Sequence, residues 1–265
     1  EASPDTTRIR VGPHEIGGPV FHVMAGPCSV ESLDQTLAAA RAVAKAGATF
    51  LRGGAFKPRT SPYDFQGMGG DALDILARAR EETGLPVVSE IIRETDLARM
   101  AAQVDILQIG ARNALNYSLL EAVAAARKPV LLKRGSASTV EEWLLAAEYL
   151  AKNGNPQVIL CERGIRTFEK ATRNTLDLSA VAIAKLECNL PVIVDPSHAA
   201  GRQDLIRALS CAAVAAGADG LIVEVHPHPE EACSDGAQSL TIPQFRDMMR
   251  NLKPYLDIWS QGRVA

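Results

Sequence analysis

The stretch Ala48-Thr49-Phe50-Leu51-Arg52-Gly53-Gly54-Ala55-Phe56-Lys57-Pro58-Arg59-Thr60-Ser61 passes from apolar to cationic within a few residues. A short apolar run that ends on glycine reads as a buried strand opening into a loop. The loop offers Lys57 and Arg59 as anion ligands, with Thr60 and Ser61 as neutral donors. Taken alone, a solvated basic loop accounts for it equally well. The fold is decided by what lies on either side, because the same grammar recurs along the chain.

From Val20 onward, apolar runs and helical patterns alternate. Strands are expected at 20–25, 49–51, 87–89, 105–109, 129–132, 158–160, 191–194 and 220–223. Helices are expected at 32–46, 70–83, 94–102, 115–126, 139–152, 174–187, 203–216 and 242–252. Ser32 reads as an N-cap, Gly47 as a C-terminal glycine, and Thr139 with Glu142 as a capping box. Short strands rich in Val, Ile and Leu between helices predict a parallel sheet buried on both faces. Eight strand–helix units in about 250 residues fit a (β/α)8 TIM barrel, an α/β fold. A doubly wound sheet is the runner-up, but the first turn lacks its glycine fingerprint. Before the alternation, Arg8–Val11 and Glu15–Ile16 flank Gly12-Pro13-His14, predicting a short β-hairpin that covers one barrel mouth. The expected organisation is an N-terminal extension over 1–19 and a catalytic barrel over 20–265, with no separate regulatory domain.

Composition narrows the function. The chain has 265 residues, is 47% hydrophobic and carries a net charge of −3, so no global field favours nucleic acid or an anionic membrane. No apolar run reaches the roughly 18 residues that span a bilayer, and no cationic-then-apolar leader is read. Five dispersed cysteines (Cys28, Cys161, Cys188, Cys211, Cys233) without Cys-x-x-Cys spacing point to a reducing, cytoplasmic setting.

In such a barrel, chemistry belongs at the C-terminal strand ends. Two constellations emerge there. Arg52, Lys57, Arg59, Arg112, Lys133 and Arg163 form a cationic ring suited to phosphates and a carboxylate. Cys28, His198, Glu224 and Asp235 form the second, from the ends of the first, seventh and eighth strands, which become neighbours on closure. A thiolate, an imidazole and two carboxylates suit Mn²⁺, Fe²⁺, Co²⁺ or Zn²⁺ better than Mg²⁺. His226 and His228 are rival ligands that periodicity does not remove. A divalent ion beside cations suggests carbonyl polarisation while phosphorylated groups are held.

The motifs Ala25-Gly26-Pro27-Cys28-Ser29, Arg52-Gly53-Gly54-Ala55-Phe56-Lys57-Pro58-Arg59-Thr60-Ser61, Gln108-Ile109-Gly110-Ala111-Arg112-Asn113, Leu132-Lys133-Arg134-Gly135, Cys161-Glu162-Arg163-Gly164, Val194-Asp195-Pro196-Ser197-His198, Glu224-Val225-His226-Pro227 and Ser234-Asp235-Gly236 together resemble type I 3-deoxy-D-arabino-heptulosonate 7-phosphate (DAHP) synthases, most closely the β subgroup. The resemblance runs from about Val20 to Leu252. It implies a transferase that condenses phosphoenolpyruvate with erythrose 4-phosphate and releases phosphate, the first step of the shikimate pathway to aromatic amino acids. By matching motif it implies metal ligands Cys28, His198, Glu224 and Asp235, with Mn²⁺ the first choice of ion. It assigns phosphoenolpyruvate to Arg52, Lys57, Ala111, Arg112, Lys133 and Arg163. Erythrose 4-phosphate falls to Lys57, Pro58, Arg59 and Thr60, with Lys57 the catalytic acid between the two substrates. Glu90 and Asp235 are candidates for activating the attacking water.

The resemblance also implies a homotetramer or homodimer and a separate chorismate mutase as a candidate partner. Many relatives carry an N-terminal regulatory domain, and only about 19 residues precede the first strand, so feedback through such a domain is not expected. Ala114-Leu115 and Ser136 depart from the bulkier or more polar residues expected in their loops. Two rivals are weighed: the related 3-deoxy-D-manno-octulosonate 8-phosphate synthases, which take arabinose 5-phosphate, and a catalytically silent regulatory barrel. The octulosonate enzymes typically show Lys-Ala-Asn-Arg-Ser where this chain has Lys57-Pro58-Arg59-Thr60-Ser61, which favours erythrose 4-phosphate.

Overall fold

A computed structural model describes residues 6–58 and 61–262. The chain enters through β1 (Ile9–Val11) and β2 (His14–Ile16), an antiparallel hairpin with Ile9 opposite Ile16. The alternation follows: β3 (His22–Gly26), α1 (Leu33–Lys45), β4 (Phe50–Arg52), α2 (Gly70–Thr83), β5 (Val87–Ile91), α3 (Leu97–Gln103), β6 (Ile106–Ile109) and α4 (Tyr117–Ala125). It continues with β7 (Val130–Lys133), α5 (Val140–Lys152), β8 (Val158–Glu162), α6 (Leu178–Glu187), β9 (Val192–Val194), α7 (Pro196–Ala200), α8 (Gln203–Ala215), β10 (Gly220–Glu224) and α9 (Ile242–Gln261). Strands β3 to β10 pair in parallel and close into a barrel, with β10 returning to β3 in the register Gly220 to His22.

The two faces of each strand carry different chemistry. Outward residues such as Leu51, Val87, Leu107, Val130, Val158 and Val192 join one apolar cluster with the helices. Inward residues Met24, Phe50, Val88, Ile106, Leu131, Ile159, Ile193 and Ile222 form a second cluster, completed by Ile9, Val11 and Ile16 of the hairpin. The hairpin therefore seals the N-terminal mouth, as the sequence predicts. Burying each of these three side chains contributes about 1.5–3 kcal/mol.

Strand side chains alternate with a period of two. Two residues beyond the inward apolar layer stand Arg52, Glu90, Gln108, Lys133, Asp195 and Glu224, each at or just past the end of its strand. The interior thus changes from oil to charge in a single pleat, and the charge faces the C-terminal mouth.

Two expected helices differ, and one further helix appears. The sixth begins at Leu178 rather than Asn174, because Asn174 donates its backbone N–H to Ala199 and Thr175 pairs with Ile165. Asp177 then caps it, accepting from Ala180 N at 3.2 Å. The last helix continues past Leu252 to Gln261, through Pro254. Proline there forfeits one intrahelical hydrogen bond, but the last turns are anchored by Trp259, whose Nε1 donates to the Ala218 carbonyl at 2.8 Å. The short helix α7 was not anticipated. It starts at a capping aspartate with Pro196 in the first turn, and Gly201 ends it in the left-handed region. No helix among the described residues is long and apolar enough to cross a membrane.

Candidate active site

The polar layer opens into a cleft of about 240 Å³ at the C-terminal mouth. Lys57, Arg112, Lys133, Arg163, His198 and Asp235 line it, together with Glu90, Gln108, Gly110 and Ala111. Backbone geometry makes this convergence possible at two glycines. Gly26 (φ +153) lets β3 approach β4 so closely that a Cβ would lie 2.2 Å from the Arg52 carbonyl oxygen. A Cβ on Gly110 would stand 1.9 Å from Oε1 of Glu90, so a side chain there would displace that carboxylate from the cleft wall.

Cys28, Glu224 and Asp235 each offer a ligand atom within 4.8 Å of the others. Cys28 Sγ lies 3.3 Å from Asp235 Oδ2 and 3.2 Å from Ser234 Oγ. Asp235 reaches it from a left-handed backbone (φ +53), a conformation aspartate tolerates better than most residues. Glu224, at the end of β10, accepts from Arg52 at 3.0 Å and from Gln238 Nε2 at 2.7 Å. Burial, reinforced by the Glu224 charge, pushes the Cys28 thiol up to about 12. Burial opposes ionisation of Asp235, but His198, Arg173 and Lys57 overcome it and hold that carboxyl at about 2.

His198 stands beside this trio. Its Nδ1 lies 2.7 Å from Asp195 Oδ2, and its Nε2 lies 3.4 Å from Glu224 Oε1. Asp195 is buried and held ionised: burial opposes this, but His198 and Lys133 outweigh it. Its carboxylate only accepts, so Nδ1 carries the imidazole proton. Burial keeps His198 neutral by pulling its pKa down. The Nε2 lone pair therefore faces a carboxylate oxygen, an acceptor against an acceptor, which a shared cation would satisfy. The donor set of thiol, imidazole and two carboxylates fits a first-row divalent metal ion. The rival histidines lie elsewhere: His226 Nε2 is 3.3 Å from Glu31 Oε2, and the exposed His228 sits beside Glu230.

The cations divide into two depths. Arg52 is buried beneath the cleft, with NH1 donating to the Pro27 carbonyl at 2.7 Å and to Glu224, and it does not line the cavity. Lys57 donates to Cys28 Sγ at 2.9 Å and to the Cys28 carbonyl at 3.2 Å. Lys133 is ion-paired to Asp195. Arg163 leans on the carbonyls of Gly164 and His198, and Arg112 donates to the Pro58 carbonyl at 3.1 Å. Ala111 opens a short 3₁₀ turn after β6 and presents backbone to the cleft. Arg59 and Thr60 lie outside the described residues; their neighbour Pro58 is on the cavity wall.

Sequence reasoning passed over three residues. Arg173 donates to Asp235 Oδ1 at 3.2 Å and to Gln238 Oε1 at 2.8 Å, so one guanidinium braces both carboxylates of the trio, one directly and one through an amide. Arg166 adds a further cation to the cavity wall. Asp195 links Lys133 to His198. The available signal was the density of arginines in 163–173, the loop that leads into the helix expected from 174.

Comparisons with known proteins identify the family. The chain matches the DAHP synthetase I family over residues 8–257. It is 53% identical over 257 residues to the phospho-2-dehydro-3-deoxyheptonate aldolase of Thermotoga maritima, covering 97% of this chain and 76% of that protein. The crystal structure of that organism's DAHP synthase superposes with a TM-score of 0.94 at 52% identity, covering 97% of this chain and 75% of that one. A 2-dehydro-3-deoxyphosphooctonate aldolase from Acidithiobacillus ferrooxidans is more distant, at 33% identity over 253 residues, 88% of each chain.

Proposed function

This chain belongs to the DAHP synthetase I family, and from that premise we propose that its cleft joins phosphoenolpyruvate to erythrose 4-phosphate and releases inorganic phosphate. The observation that carries the reading is that His198 and Asp235 share one cavity wall with Lys57, Lys133, Arg112 and Arg163, while Cys28 and Glu224 each offer a ligand atom within 4.8 Å of Asp235. Two phosphates and a carboxylate need several cations, and a carbonyl electrophile needs a Lewis acid. Cys28, His198, Glu224 and Asp235 would hold one divalent ion, Mn²⁺ first and Fe²⁺, Co²⁺ or Zn²⁺ as alternatives, which supplies polarisation of the aldehyde oxygen.

The protein's own groups do the rest. Arg52, Lys57, Arg112, Lys133 and Arg163, with the backbone at Ala111, anchor phosphoenolpyruvate, and Arg52 also ion-pairs with Glu224. Lys57, Pro58, Arg59 and Thr60 receive the aldose phosphate. Phosphoenolpyruvate C3 attacks the aldehyde carbon, forming the new C–C bond, and the carbonyl oxygen takes a proton from Lys57. Burial disfavours the Lys57 ammonium, but its acidic neighbours Cys28 and Glu224 outweigh it and raise its pKa. The electron-poor C2 then takes the oxygen of water, whose proton passes to Glu90 or Asp235, the carboxylates on the cavity wall. Cleavage of the C2–O bond to the phosphate expels it, the departing oxygen takes the proton of the new C2 hydroxyl, and the 2-keto group remains.

The segment beginning Lys57-Pro58-Arg59-Thr60-Ser61, and the lower identity to the octulosonate enzymes, support erythrose over arabinose 5-phosphate. Phosphate release from phosphoenolpyruvate, assayed after Mn²⁺ addition with each aldose, tests this. Turnover with erythrose 4-phosphate is expected. Turnover with arabinose 5-phosphate alone would overturn the acceptor, and turnover with neither would favour a silent barrel. We also assign the enzyme to the cytoplasm, as a homotetramer or homodimer open to a separate chorismate mutase. Light scattering, alone and with that protein, tests the assembly.

A further inference from the structure

Asp195, a carboxylate outside both groups, joins a residue of the metal-type cluster to a residue of the anion ring. Its Oδ2 receives both Nδ1 of His198 at 2.7 Å and the ammonium of Lys133. Its Oδ1 accepts the backbone N–H of His198 at 2.9 Å, so it also caps α7 and sets the direction in which the imidazole leaves that helix. Its own N–H donates to the Glu162 carbonyl at 2.8 Å, holding it in register with the strand that delivers Arg163. Asp195 and Lys133 are almost completely buried, so water does not screen the pair.

We propose that Asp195 is a positioning residue that couples the two halves of the site, so that a divalent ion at His198 raises the affinity for phosphoenolpyruvate at Lys133. The physical basis is competition for one oxygen. A cation drawing on the Nε2 lone pair makes Nδ1–H a stronger donor, and Oδ2 then gives more of its charge to the imidazole. Lys133 is held less tightly by Asp195, and its ammonium becomes available to an anion in the cleft. The carboxylate also fixes the tautomer that leaves Nε2 unprotonated, as outer-shell partners of ligating histidines do. The inference rests on the ligand and substrate assignments above.

Calorimetric titrations of the metal-stripped full chain test it without relying on turnover. Phosphoenolpyruvate should bind wild-type protein about 5-fold or more tightly with Mn²⁺ present than without, the lower end of typical site coupling. Asp195→Asn should weaken Mn²⁺ binding about 10- to 100-fold and make phosphoenolpyruvate affinity the same in both forms. If Asp195→Asn does not fold, as judged by circular dichroism, Lys133→Met decides: it should lose the coupling while keeping Mn²⁺ affinity within about twofold, since His198 keeps its partner. Wild-type phosphoenolpyruvate affinity that ignores Mn²⁺ would overturn the proposal, as would coupling retained in either variant. Turnover with erythrose 4-phosphate is recorded on the same wild-type preparation. Its absence would count against the substrate assignment, whereas lost coupling in an active enzyme counts against Asp195 alone.

Discussion

The ammonium of Lys57 lies 2.9 Å from Sγ of Cys28, so the acid of the proposed reaction and the sulfur of the ligand cluster share one contact. Neither residue does its work alone. Replacing the sulfur should disturb metal binding and proton donation together. In Cys28→Ser, Mn²⁺ affinity should fall by at least about tenfold, no less than outer-shell changes typically cost, and activity should fall with it. Calorimetry and phosphate release on the same samples check this. Full activity in a variant verified as metal-loaded would remove Cys28 from the ligand set.

Arg59→Ala separates the substrates. Losing a charge-assisted hydrogen bond to a phosphate costs about 1.5–3 kcal/mol, so KM for erythrose 4-phosphate should rise roughly 10- to 150-fold. KM for phosphoenolpyruvate should stay near its wild-type value. Equal effects on both would contradict the division of labour between Arg59 and the Arg112–Lys133–Arg163 group.

Arg173→Ala tests a residue that sequence reasoning missed. The guanidinium is 39% exposed, so its loss should leave the melting temperature nearly unchanged. Asp235 and Gln238 would lose their brace, and kcat/KM should fall about 10- to 100-fold, in line with outer-shell partners of metal sites. Wild-type kinetics in this variant would show the contact to be idle.

Most of the barrel was legible because its strands repeat one pattern, Val/Ile/Leu runs that end in a polar residue. That pattern located Cys28, Lys133, Arg163 and Glu224, because strand ends are where the chain must leave the apolar layer. It could not show depth: Arg52 and Lys133 occupy equivalent places in sequence, yet Arg52 lies under the cavity and Lys133 on its wall. Nor could it find Arg173, whose partners Asp235 and Gln238 are more than sixty residues away. Helix α9 ran past its expected end because tertiary anchoring by Trp259 outweighed the local cost of Pro254.

The hairpin that seals the far mouth should make stability depend on pH. His22 is buried under it, with Nε2 3.0 Å from the Glu15 carbonyl and Nδ1 3.2 Å from Thr49 Oγ1. Burial lowers its pKa, only partly offset by the Glu15 carbonyl. A histidine depressed in the folded state contributes its full stability above the unfolded value, about 6.5. As pH falls below that, the unfolded chain takes up the proton first and stability is lost until the folded pKa is passed. Urea midpoints between pH 7.5 and pH 5 should therefore decline more steeply in wild type than in His22→Gln. Parallel slopes would show that His22 does not carry the dependence.

The central claim is a condensation in which phosphate leaves by C–O cleavage after water adds at C2. Phosphoenolpyruvate carrying ¹⁸O in the bridge between C2 and phosphorus tests it directly, with products read by mass spectrometry. In the Mn²⁺-loaded enzyme supplied with erythrose 4-phosphate, the label should appear in the released phosphate, beside an unlabelled seven-carbon keto sugar phosphate. Label retained in the sugar, or no such sugar formed, would contradict the account.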